Sequence, residues 1–79
     1  MRLDKYLKDS RIIKRRTIAN EACDAGRVMV NGRPAKASCD VKPGDEILIS
    51  FGNKETKVRV LSIDNPLRKE DAEKMFEYI

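Results

Sequence analysis

Lys14, Arg15, Arg16 and Thr17 stand immediately before a stretch, "IANEACDA", in which small apolar residues recur at helical spacing. A helix start exposes backbone N–H groups that have no partner within the helix, and it carries the positive end of the helix dipole. Three consecutive cations at that point add side-chain charge to backbone donors, and the chemistry that suits this combination is the holding of a phosphate. Arg2 and Lys5 in "RLDKYL", together with Arg11, extend the same positive face, and Arg27 and Lys36 at the ends of "AGRVMVNGRPAK" border it. The competing reading is a solvated charged surface, with Asp4–Lys8 and Lys5–Asp9 paired four residues apart along a helix.

Enzymatic chemistry has little to work with. There is no histidine, no phosphate loop of the Walker type and no nucleophile elbow. Cys23 and Cys39 do not make a closed zinc site, and their spacing fits no ligand motif. They are expected to be reduced, buried thiols in a cytoplasmic chain. We therefore expect no catalytic residues, no metal and no cofactor. No apolar run approaches the length of a membrane span, and the charged, periodic N-terminus does not read as a secretory leader. No membrane partner is expected.

The 79 residues are 41% hydrophobic and 38% charged, which is the composition of one small globular domain. The net charge of +4 is unevenly spread. Residues 1–36 hold ten Lys/Arg against four acids, and residues 37–79 hold seven against nine. An acidic partner should meet the N-terminal half.

The elements that position these residues are legible in outline. In "RLDKYLKDS" Leu3, Tyr6, Leu7 and Ser10 share one helical face, with Arg2, Lys5 and Lys8 on the other. Ile12 and Ile13 anchor a tight connection. A second helix starts at or near Thr17, whose hydroxyl can satisfy a free N–H, and Gly26 ends it in the left-handed conformation. Its broad apolar face is Ile18, Ala19, Ala22, Cys23 and Ala25, and Asn20, Glu21 and Asp24 point away. From Arg27 the period becomes two, and Asn31-Gly32 turns a hairpin. "KPGDE" is a further turn. Ile47, Ile49 and Phe51 share one strand face, "GNK" turns the chain, and Val58, Val60 and Ser62 alternate in the next strand. Asn65-Pro66 then caps a C-terminal helix over about residues 66–79, with Ala72, Met75, Phe76 and Ile79 as its core stripe. The expected class is α+β, with two N-terminal helices on a small, mainly antiparallel sheet and a short C-terminal helix, forming a single domain over residues 1–79.

Among acidic partners, duplex DNA is disfavoured. A DNA-reading helix lies in the major groove and needs donors on its exposed flank. Residues 18–25 contain no Lys or Arg, and Glu21 and Asp24 would face the phosphates. Stacking on single strands is poorly supported by four aromatics, at least two of them committed to the core. Structured RNA, recognised through phosphate, ribose and shape, fits better. A module that binds an acidic protein is the alternative of another class.

"RLDKYL", "KRRTIA", "AGRVMVNG", "AKAS" and "VKPGDEI" resemble, in order and spacing, the S4-type RNA-binding domain over about residues 1–50. With "SFGNKETKVRV" and, more loosely, "KEDAEKMFEYI", the whole chain is similar to the RqcP family of small factors in bacterial ribosome-associated quality control. That resemblance implies binding to large-subunit rRNA and peptidyl-tRNA while stalled nascent chains are tailed, with an RqcH-type tailing factor as partner. The heat-shock members of the S4 group carry a long basic extension, not found here, so the quality-control type is favoured over generic ribosome association. Carried onto this sequence, the family's RNA surface implies Arg2, Lys5, Arg11, Lys14, Arg16 and Thr17, with Arg15, Asn20, Arg27 and Lys36 as neighbours. Asp4 either holds a nearby arginine or pairs with Lys8.

Overall fold

Two short helices open the chain because its first apolar residues recur every three to four positions. α1, Leu3–Asp9, completely buries Leu3, Tyr6 and Leu7. α2, Arg16–Asp24, buries Ala19, Ala22 and Cys23, side chains small enough for close packing against α1. The computed structural model describes residues 1–64 and 69–79.

The apolar face of α2 is narrower than expected, since Ile18 is 44% exposed and Ala25 is exposed too. At 3.6 residues per turn both lie about 100–120° around the helix from Ala19, beyond the buried strip. Thr17 does not cap the helix. The N-cap is Arg15, in extended backbone with no side-chain cap bond, and the first helical bond runs from the Ala19 N–H to the Arg15 carbonyl at 3.0 Å.

Both helices end in the left-handed region, in different ways. Gly26, at φ +79°, closes α2 as expected. Its N–H reaches the Cys23 carbonyl and the Arg27 N–H reaches that of Ala22, each at 3.0 Å, which is the Schellman pairing. After α1 the same place is taken by Arg11, at φ +63°, whose N–H reaches the Lys8 carbonyl at 3.0 Å. The buried Ile13 then anchors the connection as expected, with its N–H on the Leu7 carbonyl.

Five strands follow: β1 Val28–Val30, β2 Arg33–Pro34, β3 Glu46–Phe51, β4 Lys54–Val60 and β5 Phe76–Tyr78. They form one antiparallel sheet in the order β2-β1-β3-β4-β5. Asn31-Gly32 makes the two-residue turn between β1 and β2, with φ +53° at Asn31. The Asn31 side chain also sets the neighbouring register. Its Nδ2 donates to buried Asp45 at 3.1 Å and its Oδ1 accepts from the Glu46 N–H at 3.0 Å. Asp45 in turn takes the Lys42 N–H, closing the "KPGDE" turn. Val28, Ile47, Ile49, Val58 and Val60 make the core face of the sheet. Phe51 does not join them. It sits on the last rung of the β3–β4 ladder, opposite Lys54, and is 40% exposed.

The C-terminal segment differs most from expectation. The described helix, α3, spans only Lys69–Glu73, and the expected Asn65-Pro66 cap lies outside the described residues. After Met75 the chain becomes β5, pairing Phe76 with Val60 and Tyr78 with Val58. Extended pairing satisfies backbone groups along an edge of β4 that a helix would have left open. Ala72 and Met75 are buried as expected, but Phe76 is half-buried and Ile79 is 47% exposed at the strand end. Ser62 likewise lies past β4. Its N–H and that of Leu61 both point to the Met75 carbonyl, which also accepts the buried Tyr6 hydroxyl at 2.6 Å. One carbonyl thus ties α1, the end of β4 and the start of β5 together.

Candidate nucleic-acid interface

The basic residues are organised by an acid. Asp4, in the first turn of α1, has a side chain 3% exposed, yet it receives donors from two helices. The Arg2 Nε lies 3.2 Å from Oδ1 and its Nη2 lies 3.4 Å from Oδ2. From α2, Arg16 Nε and Asn20 Nδ2 each lie 3.3 Å from Oδ2. The Lys5 backbone N–H completes the set at 2.8 Å. The backbone bond is short and the side-chain bonds are long, so charge contributes more to the brace than bond geometry does. Arg16 and Asn20 can share one carboxylate because they are four apart on α2, one turn above the other.

Burial pushes the Asp4 carboxyl up, but the bonds from Asn20, Arg16 and the Lys5 N–H outweigh it and hold the group below its ordinary value of 3.8. Asp4 is therefore ionised at neutral pH. Of the two roles open to it in the sequence, it holds arginines. Lys8 lies 4.0 Å from Asp9 instead, and Lys5 pairs with Asp9 at 2.6 Å, the expected pair one turn along.

Arg2 and Arg16, held at the carboxylate, remain 51% and 48% exposed. Arg2 is the N-cap residue of α1 and Arg16 the first residue of α2. Lys14 and Arg15 are exposed on the approach to α2, Thr17 is exposed in its first turn, and Arg11 is exposed after α1. The first turn of α2 has no side-chain cap, so backbone donors open beside these cations. Among the described residues Arg11, Lys14, Arg15, Arg27 and Lys36 make no ion pair.

Of the two hairpin cations, Arg27 sits at the far end of α2 from the Asp4 cluster, whereas Lys36 precedes Ala37, a residue bonded to the Asp4 backbone. Arg27 follows the stop of α2, so the length of that helix, about 14 Å, separates it from Arg16. Lys36 is exposed on a loop that links the end of α2 to the start of α1. There the Ala37 N–H reaches Asp24 at 3.3 Å and the Ala37 carbonyl accepts the Asp4 N–H at 3.2 Å. Glu21 and Asp24 are exposed on α2, leaving its flank acidic.

Three features were not foreseen from the residues. Asn20 uses an amide N–H inside the protein, Ile18 is exposed in the first turn of α2, and Arg11 holds a left-handed backbone. The spacing of Arg16 and Asn20 was the available signal for the first. Cys23 lies beneath this region as a free, buried thiol, and Cys39 is free but only half-buried. Burial, with the charges of Asp4 and Asp24, raises the Cys23 thiol to about 11, so it stays protonated and unreactive. Among the described residues no group of three or more His, Cys, Asp or Glu could hold a metal ion, and no helix is long and apolar enough to cross a membrane.

Residues 1–47 match the family model of the S4 domain. The chain belongs to the S4 domain family. It is 57% identical over 79 residues to the RQC P-site tRNA stabilizing factor of Streptococcus pneumoniae, covering 100% of this chain and 90% of that one. It is 54% identical over 76 residues to the protein of the same name from Bacillus subtilis, covering 96% and 88%. Among solved structures, the trimeric structure of Vibrio cholerae Heat Shock Protein 15 superposes with a TM-score of 0.90 at 30% identity, covering 100% of this S4 chain and 81% of that one.

Proposed function

We propose that this chain is a non-enzymatic RNA-binding factor of the cytoplasm that docks on structured rRNA of the large ribosomal subunit and contacts peptidyl-tRNA there. In this role it supports C-terminal tailing of stalled nascent chains beside an RqcH-type tailing factor. The observation that carries the proposal is the gathering of Arg2 and Arg16 on one carboxylate beside the uncapped start of α2, with Lys14 and Arg15 alongside. Such an assembly offers several cations and backbone donors to one stretch of sugar-phosphate chain. The acidic flank of α2 disfavours groove insertion, leaving backbone and shape recognition. The choice of ribosome and tRNA over other RNAs is supported by relatives above 50% identity that are named RQC P-site tRNA stabilizing factor.

A generic ribosome-associated role of the heat-shock type is the second reading, favoured by the likeness to Heat Shock Protein 15. Sucrose-gradient fractionation with crosslinking separates the two. The quality-control role predicts crosslinks to both large-subunit rRNA and tRNA, enriched when nascent chains stall. Crosslinks to rRNA alone, indifferent to stalling, favour the generic role. Binding to partners that survives ribonuclease treatment would point to a protein-binding module instead.

A further inference from the structure

Arg16 reaches Asp4 through its Nε, and its two Nη groups have no partner among the described residues. Arg2 reaches the same carboxylate through Nε and one Nη. A guanidinium offers five N–H donors in a fixed plane. Held by the Nε edge, each of these two keeps at least three donors for something else. They come from different helices, and among the described residues Asp4 is the common acceptor that holds their two guanidinium groups together.

We propose that Asp4 is a positioning residue of the RNA surface. It grips Arg2 and Arg16 by their inner edges so that their outer amino groups are set, before binding, to take successive phosphate oxygens. Asn20 assists by holding Oδ2 from the next turn of α2. The inference rests on the RNA-binding proposal and adds to it an acid that never touches RNA. Its contribution is entropic, because a guanidinium already fixed loses less side-chain freedom when a phosphate arrives. It also assigns arginine specifically at positions 2 and 16. A lysine has one ammonium, which cannot be held from behind and present a planar donor pair in front.

This opposes what charge alone dictates. Replacing Asp4 with Asn removes one negative charge from beneath the basic surface and raises the net charge by one, and simple Coulomb attraction then tightens binding to a polyanion. Positioning predicts the reverse.

The test uses the full chain with two probes, a labelled tRNA transcript and purified large ribosomal subunits. Asp4→Asn should bind about fivefold to tenfold more weakly despite the raised net charge, the scale of one charge-assisted bond lost. In an Arg2→Ala/Arg16→Ala background the same substitution should change affinity less than about twofold, since the groups it acts through are gone. Arg16→Lys, which leaves Asp4 in place and perturbs only a half-exposed side chain, should fall near Arg16→Ala, so a folding defect in Asp4→Asn does not decide the matter. Equal or tighter binding by Asp4→Asn, an unchanged effect of it in the double-alanine background, or an Arg16→Lys variant that matches wild type overturns the proposal while leaving RNA binding standing. Wild-type protein that binds neither probe removes both.

Discussion

Arg11 occupies a backbone position that glycine ordinarily fills, and the same chain supplies the comparison. α1 and α2 both end with a left-handed residue, Gly26 in one case and Arg11 in the other, with φ of +79° and +63°. For a side-chain-bearing residue that conformation costs about 1–2 kcal/mol, and glycine's greater freedom in the unfolded chain offsets roughly 0.5–1 of it. Because Arg11 is exposed and makes no ion pair among the described residues, it has little packing to lose. Arg11→Gly should therefore stabilise the fold by about 0.5–1 kcal/mol, which for a domain of this size raises the melting temperature by about 2–8 °C. The same variant should bind the tRNA transcript more weakly, because one cation has left the surface. Arg11→Ala separates the two effects, losing the charge while keeping the strained backbone. Thermal melts followed by circular dichroism, paired with binding titrations, read both. If Arg11→Gly proves less stable than wild type, the strain argument fails. If it is more stable but binds unchanged, strain is present and Arg11 plays no part in binding.

Other consequences follow from the same contacts. Gly26→Ala should cost about 1 kcal/mol in urea unfolding purely through its backbone, since an added Cβ meets nothing within 4 Å. A loss several times larger would mean a clash instead. Tyr6→Phe removes the hydroxyl that bonds the Met75 carbonyl, but that oxygen keeps the Leu61 and Ser62 N–H groups, so the loss should stay near 1 kcal/mol. β5 should become the first segment to exchange its amide hydrogens. The Asp4 carboxyl, held below its ordinary 3.8, stabilises the fold fully above that pH and loses its contribution as pH falls through the lower, folded-state value. The stability gap between wild type and Asp4→Asn should thus be constant from pH 7 to about pH 4 and close below it; a gap that closes near pH 6 would contradict this.

The N-terminal half was legible because local signals there agree with one another. Helical spacing in "RLDKYL", a glycine stop at Gly26 and the Asn31-Gly32 turn each name one conformation, and each forms. The C-terminal segment was not, because Ala72, Met75, Phe76 and Ile79 suit a helix stripe while the deciding factor was the open edge of β4, which no local pattern reports. At the site, the clustering of cations could be read from adjacency in sequence. The brace could be read only as one of two options, since Asp4 and Arg16 are twelve residues apart and meet only once α1 and α2 have packed. Ile18 suits the core by hydrophobicity alone, but the buried strip of α2 is only as wide as Ala19, Ala22 and Cys23.

The central claim is that cations around the start of α2, two of them fixed by Asp4, hold the sugar-phosphate chain of RNA. Its most direct test is the salt dependence of tRNA-transcript binding by wild type and by a Lys14→Ala/Arg15→Ala/Arg16→Ala variant. Each phosphate contact contributes roughly 0.7–0.9 to the slope of log affinity against log salt. The account predicts a steep wild-type slope that falls by about 2–3 in the variant. A shallow wild-type slope, or one that the three substitutions leave unchanged, would contradict it.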